Sequence, residues 1–355
     1  MIPFELDPDT LAEELREFNE RLLQGVNTFT EIGDVDVGAT PKKEIYKEDK
    51  LVLYQYESHG KKENIAPVLI VYALVNRPYM MDLQPDRSLI KGLLKEGLDV
   101  YLIDWGYPDE ADRYLTLDDY INGYLDRCVN VILDRCGLEK INLLGVCQGG
   151  TFSLCYACLH QEKVHNLITT VTPVDFHTEH DLLSRMVRDI DIDNFVDSYG
   201  NLPGELLNWT FLMLKPFSLM GRKYLDLVDI LNDPDKVRNF MRMEKWIFDS
   251  PDQAGETYRE FIKQFYQENR LVKGSVRIGE QVVDLEHINI PLLNIYARDD
   301  HLVPPDASKA LAGCVGSDDY TEMEFPGGHI GIYVSAKSQH LLPPAIGKWL
   351  GERAE

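Results

Sequence analysis

Three stretches of this chain carry residues whose types and order suit acyl chemistry. They are Gly145-Val146-Cys147-Gln148-Gly149, Asp299-Asp300-His301-Leu302-Val303-Pro304-Pro305 and Pro326-Gly327-Gly328-His329-Ile330-Gly331. Cys147 stands between two glycines directly after the apolar run Ile141-Asn142-Leu143-Leu144. That pattern lets a strand turn sharply into a helix and holds the intervening side chain exposed above a sheet. An unperturbed thiol is only a few per cent thiolate at neutral pH, so a nucleophilic Cys147 needs a base. His329 is the candidate base and Asp300 the candidate acid, each just after an expected strand. A thiolate suits exchange between thioesters as well as hydrolysis.

Each piece has a plainer reading. A cysteine between glycines is commonly small core filling, an aspartate pair after a strand commonly caps a helix, and a glycine-flanked histidine is often a turn. The order nucleophile, acid, histidine, on the loops where such a triad belongs, favours the catalytic reading. Asp299 is the alternative acid, and His301 reads as structural or as lining the mouth of the site. Cys128 falls in an expected helix and reads as core, while Cys155 and Cys158 form an isolated C-x-x-C better explained by packing than by zinc or redox use. The remaining histidines lack metal-ligand spacing, and no metal is expected. The developing oxyanion needs two amides: Gln148, after the nucleophile, and Val75 or Asn76 in the loop Leu74-Val75-Asn76-Arg77-Pro78. That loop lacks the His-Gly-Gly-Gly run common in lipases. Arg77 could meet a phosphate or serve as a surface ion-pair partner.

These residues require a frame of alternating strands and helices. Extended stretches are expected around Lys43 to Tyr46 and Leu51 to Tyr56, then a buried run from Pro67 to Leu74. A helix around Arg87 to Glu96 leads to the strand Val100 to Ile103, and a helix from about Leu117 to Arg135 leads to the elbow strand. A helix to about His160 and the strand Leu167 to Val171 follow. The rhythm breaks from about Phe176 to Val283, a mostly helical, aromatic-rich stretch that reads as an inserted cap. It resumes with Pro291 to Tyr296, a helix from Asp306, a strand from Thr321 to Phe325 and a helix over about Leu342 to Leu350. The expected architecture is an α/β-hydrolase fold: a mostly parallel sheet, helices on both faces and a mainly helical cap. The divisions are an N-terminal helical segment (1–40), core (41–175), cap (176–285) and core again (286–355). Thr10 and Glu13 form a capping box ahead of Leu11, Leu15, Phe18 and Leu22 at helical spacing.

Composition bounds the function. The 355 residues suffice for a sizeable core, with 44% apolar and 10% aromatic side chains. With 36 basic against 59 acidic residues, a formal charge of −23 argues against nucleic-acid or anionic-membrane binding. An anionic substrate such as coenzyme A would need a local basic entrance. No apolar run approaches the ~18 residues of a membrane span, and the start lacks the look of a signal peptide, so a cytoplasmic protein with six reduced cysteines is expected.

The elbow, Leu74 to Tyr79, Asp104-Trp105-Gly106, the Asp300 to Pro305 run and Gly327 to Gly331 together resemble polyhydroxyalkanoate synthases. The resemblance runs from about Lys43 to Trp349 and includes two cap segments, Leu206 to Phe211 and Met243 to Ser250. The sequence is similar to class III catalytic subunits, which work with a separate E subunit, more than to class IV. The resemblance puts nucleophile, acid and base on Cys147, Asp300 and His329. It implies polymerisation of (R)-3-hydroxyacyl-coenzyme A, usually hydroxybutyryl, with coenzyme A as a product and no cofactor. It also implies a homodimer, a complex with the E subunit and residence at storage-granule surfaces. The alternatives are a cysteine-triad thioesterase or lactone hydrolase of the same fold, and a non-catalytic granule scaffold.

Overall fold

Short strands, the central ones fully buried apolar runs, pair into one sheet in this computed structural model, which describes residues 31–57 and 64–354 together with Glu13, Arg16, Thr28 and Gly60. The helix expected over Thr10 to Leu22 lies outside the described residues apart from Glu13 and Arg16. The sheet strands are β1 (Lys42–Glu48), β2 (Leu51–Tyr56), β3 (Val68–Val71), β4 (Val100–Asp104), β5 (Ile141–Val146), β6 (Val164–Thr170), β7 (Leu292–Ala297) and β8 (Tyr320–Phe325). Their order is β1-β2-β4-β3-β5-β6-β7-β8. β2 pairs antiparallel with β1 and β4, and every other pairing is parallel. This is the α/β-hydrolase architecture expected from the alternating pattern.

Strand side chains alternate between two cores because the side-chain period of a strand is two. Leu69 and Val71 join one apolar cluster with helices α2 (Asp126–Cys136) and α3 (Gln148–Leu159). Val68 and Ile70 join the opposite cluster, with α1 (Leu89–Lys95) and the last helix, Ala336–Gly351. Parallel strands covered on both faces must be apolar on both, which explains the unbroken burial of β3 and β5.

The inserted segment supplies α4 (Leu182–Val187), α5 (Ile192–Tyr199), α6 (Gly204–Leu214), α7 (Lys223–Ile230), α8 (Pro234–Phe248) and α9 (Gly255–Phe261). Not all of it stands clear of the core. Phe261 and Phe265 stack with ring centroids 4.7 Å apart and share a cluster with Phe152 of α3 and Phe176. The small antiparallel hairpin Val276–Ile278 and Gln281–Val283 packs into the same cluster, where the periodicity suggested mainly helix. Two short helices, α10 (Pro305–Lys309) and α11 (Gly331–Val334), precede the long final α12 (Ala336–Gly351). α12 begins six residues before the expected Leu342. Pro343 and Pro344 look like an N-terminal helix signal, but the start is fixed by Ser335, whose hydroxyl accepts from Ser338 N–H at 3.1 Å.

Candidate active site

The elbow at the end of β5 is strained. Cys147 has φ 52° and ψ −121°, a left-handed backbone that a side-chain-bearing residue adopts only when its surroundings enforce it. Its amide donates to Thr170 O at 2.9 Å, locking the turn to β6. The flanking glycines are required by close approach. A Cβ on Gly149 would collide with the Val71 and Tyr72 carbonyls, and one on Gly145 with the Gly150 backbone. The sulfur is thereby held where α3 begins, with the helix's first N–H groups beside it.

Asp300 and His329 come together from the loops after β7 and β8. His329 Nδ1 lies 2.7 Å from Asp300 Oδ2, and because the carboxylate only accepts, the imidazole donates there. The other carboxylate oxygen, Oδ1, accepts from the amides of Leu302 (2.8 Å) and Val303 (3.0 Å), so the acid cannot swing away. Both side chains are buried. Burial by itself pulls the His329 pKa down, but the negative charges of Asp300 and Cys147, with hydrogen bonds to both, push it up to about 10. The site therefore favours the proton on His329 once Cys147 is a thiolate, the state reached when the imidazole takes the thiol's proton.

The neighbouring candidates fall elsewhere. Asp299 is largely exposed and pairs with Arg298 at 3.3 Å, so Asp300 is the carboxylate facing the histidine. His301 lines the cavity, and its pKa is pushed down by burial and by Lys215 against the pull of Asp300. Cys128 is fully buried in α2, and its thiol pKa is raised by that burial. Cys155 is also buried, while the Cys158 thiol donates to Asp284 O at 3.0 Å. Arg77 is committed to the Asp104 carboxylate (2.7 Å), the Gly106 carbonyl (2.9 Å) and the Tyr107 ring, with its guanidinium 4.1 Å from the ring centre. It is an ion-pair partner between loops, not an open phosphate site. Among the described residues, no group of three or more His, Cys, Asp or Glu is arranged to hold a metal.

Cys147, Gln148, Val75 and His329 all line one cavity of about 1120 Å³ beneath the cap. Its walls are largely apolar, with Leu206, Leu207 and Phe211 from α6 and Phe240 and Met243 from α8. The Gln148 side chain also reaches across the site: its Oε1 accepts from Leu74 N–H at 3.0 Å. Asn76 and Trp246 add further bonds between the same loop and the cap. The amides of Gln148, Val75 and Asn76 follow from local pattern, whereas side-chain ties across such separations leave none in the sequence.

A doubly wound sheet with a nucleophile elbow and a capped cavity defines a cysteine-bearing protein of the α/β-hydrolase class. The family model described as the alpha/beta hydrolase fold matches residues 66–336. A second, described as the poly-beta-hydroxybutyrate polymerase (PhaC) N-terminus, matches residues 9–93. The poly(3-hydroxyalkanoate) polymerase subunit PhaC of Allochromatium vinosum is 62% identical over 99% of this chain and 100% of its own length. That of Thiocystis violacea is 59% identical over the full length of both. The chain belongs to the family of poly(3-hydroxyalkanoate) polymerase PhaC subunits. Among solved structures, a thioesterase domain from the curacin biosynthetic pathway superposes with a TM-score of 0.51 at 13% identity, covering 88% of this chain and 99% of that one. That likeness shows the fold alone.

Proposed function

We propose that this polymerase carries its acyl group on Cys147 and builds its polyester from (R)-3-hydroxyacyl-coenzyme A, most readily the hydroxybutyryl thioester. The observation that supports this best is the His329–Asp300 pair held beside Cys147 on the floor of a capped apolar cavity. His329 takes the Cys147 proton and the thiolate attacks the thioester carbonyl. The negative oxygen rests on the amides of Gln148 and Val75. The tetrahedral centre collapses, its C–S bond to coenzyme A breaks, and His329 returns the proton to the leaving thiolate. The acyl group is now a thioester of similar energy on Cys147.

A 3-hydroxyl then attacks that thioester. Its proton passes to His329 as the C–O bond forms and the C–S bond to Cys147 breaks. Asp300 orients the imidazole through both half-reactions or helps activate the hydroxyl. All of these steps use the chain and the substrate alone, so no cofactor is invoked and coenzyme A leaves as product. The apolar walls favour polymerisation over a thioesterase or lactone-hydrolase reaction, because water admitted to the site would end the chain.

The same reading makes the protein a class III subunit that forms a homodimer, binds an E subunit and works at polyester granule surfaces. Large apolar side chains standing exposed on the cap, including Trp209, Met213, Phe217, Leu225 and Phe248, support a surface that meets other molecules. Among the described residues, no helix is long and apolar enough to cross a membrane.

The test is to mix the purified chain with 3-hydroxybutyryl-coenzyme A, with and without the E subunit, and follow thiol release and polymer together. Both should rise in step, faster with the E subunit. Free hydroxy acid as the main product would transfer the reading to a hydrolase.

A further inference from the structure

Asn76 combines two unusual features in the loop that faces Cys147. Its backbone is left-handed (φ 56°), a conformation that asparagine tolerates better than most residues. Its side chain leaves the core altogether. Nδ2 donates to Ser250 Oγ at 2.6 Å and lies 3.2 Å from Trp246 O and 3.3 Å from Ile247 O. Those carbonyls end the cap helix α8, where backbone donors run short: Trp246 O also accepts from Asp249 N–H at 3.2 Å, in the closing turn. A core residue therefore caps the C-terminus of a cap helix.

The tie extends in both directions. Ser250 donates onward to Asn208 Oδ1 at 2.6 Å, on α6, where Asn208 is buried. The Trp246 indole N–H donates back to Arg77 O at 2.9 Å. Tyr79 and Tyr107 both donate to Asp249, at 3.0 and 2.6 Å. On its other flank the loop is held by Gln148 Oε1 at Leu74 N–H. The segment bearing the Val75 amide is thus pinned at one end by the elbow and at the other by the cap.

We propose that Asn76 is a positioning residue that makes the oxyanion site conditional on the seating of the cap, its carboxamide coupling the end of α8 to the Val75 amide. When α8 lifts to admit a thioester, the bonds to Trp246, Ile247 and Ser250 break and the second oxyanion donor loses its support. Acyl transfer then runs at full rate only with the cap seated and water excluded. The device answers a problem specific to a polymerase on a hydrolase fold: an open site that remained competent would hydrolyse its own product. This inference rests on the assignment of Cys147 as acyl carrier and of the Gln148 and Val75 amides as donors.

Asn76→Gly is the direct test, since glycine keeps the left-handed backbone and removes only the tether. The expected result is a fall in kcat for coenzyme A release of up to about 100-fold, with KM little changed and a larger share of free hydroxy acid. Alkylation of Cys147 by iodoacetamide should keep its wild-type rate, because it develops no oxyanion. Ser250→Ala should reproduce part of the loss, and the double variant should lose less than the product of the two. Unchanged kcat in Asn76→Gly overturns the proposal. So does an alkylation rate that falls in parallel with kcat, which would mean general damage to the site. Failure of the wild-type chain to acylate Cys147 would instead remove the reading on which the inference rests.

Discussion

The side chain of Gln148 accepts a hydrogen bond from the backbone of Leu74 at 3.0 Å, across the active site. One residue therefore does two jobs: its own amide follows Cys147 in the chain, and its carboxamide holds the loop that carries Val75, the second donor in the proposed mechanism. This contact, between residues 74 apart in sequence, ties the two proposed donor segments to one another.

Gln148→Met keeps the length of the side chain and removes its acceptor. Leu74 N–H is then left buried and unpaired, at a cost of about 1–3 kcal/mol. Urea denaturation should show that loss, and kcat for coenzyme A release should fall with it. Unchanged stability would mean that the loop is held by other contacts.

What was legible in the sequence is what has a local pattern. Gly145 and Gly149 announce the elbow because each avoids a collision with nearby backbone, and β3 and β5 announce themselves as apolar runs because both faces are covered. Asp300 and His329 were found because each follows a strand of the parallel sheet. α12 starts at Ala336, ahead of the expected Leu342, because the Ser335 cap that fixes its start lies outside the apolar pattern. The hairpin at Val276 to Val283 was missed because each strand has only three residues. The Asn76 tether was invisible for a different reason: it joins residues about 170 positions apart, and nothing near Asn76 distinguishes it from an ordinary turn asparagine.

Asp300→Asn should lower the His329 pKa, because it removes the main charge opposing the effect of burial. Imidazole NMR would report the shift directly. The folded value of about 10 lies above the ordinary 6.5, so His329 contributes stability that is complete below about pH 6.5 and fades as pH rises through about 10. The stability gap between wild type and variant should close over that window, and a gap that widens with rising pH would contradict the assignment.

The same variant separates two roles for the acid. Both Asp300 oxygens are already engaged, one by His329 and one by the Leu302 and Val303 amides. Acylation and elongation should therefore slow together. Near-normal acylation with failed elongation would assign Asp300 to the hydroxyl instead.

Gly149→Ala tests the elbow as a steric device. Its methyl group would press on the Val71 and Tyr72 carbonyls, which sit in the sheet and its exit loop and cannot give way cheaply. A loss of about 3 kcal/mol in thermal or urea unfolding is expected, with Cys147 reactivity disturbed. A wild-type melting curve would show that the turn is looser than described.

The central claim is that Cys147 carries the acyl group. Its most direct test is a single turnover with 3-hydroxybutyryl-coenzyme A, with the intact protein and its peptides then weighed by mass spectrometry. The account predicts a burst of coenzyme A matched by one acyl adduct on Cys147, both absent in Cys147→Ala. An undiminished burst in Cys147→Ala, or an adduct on any other residue, would contradict it.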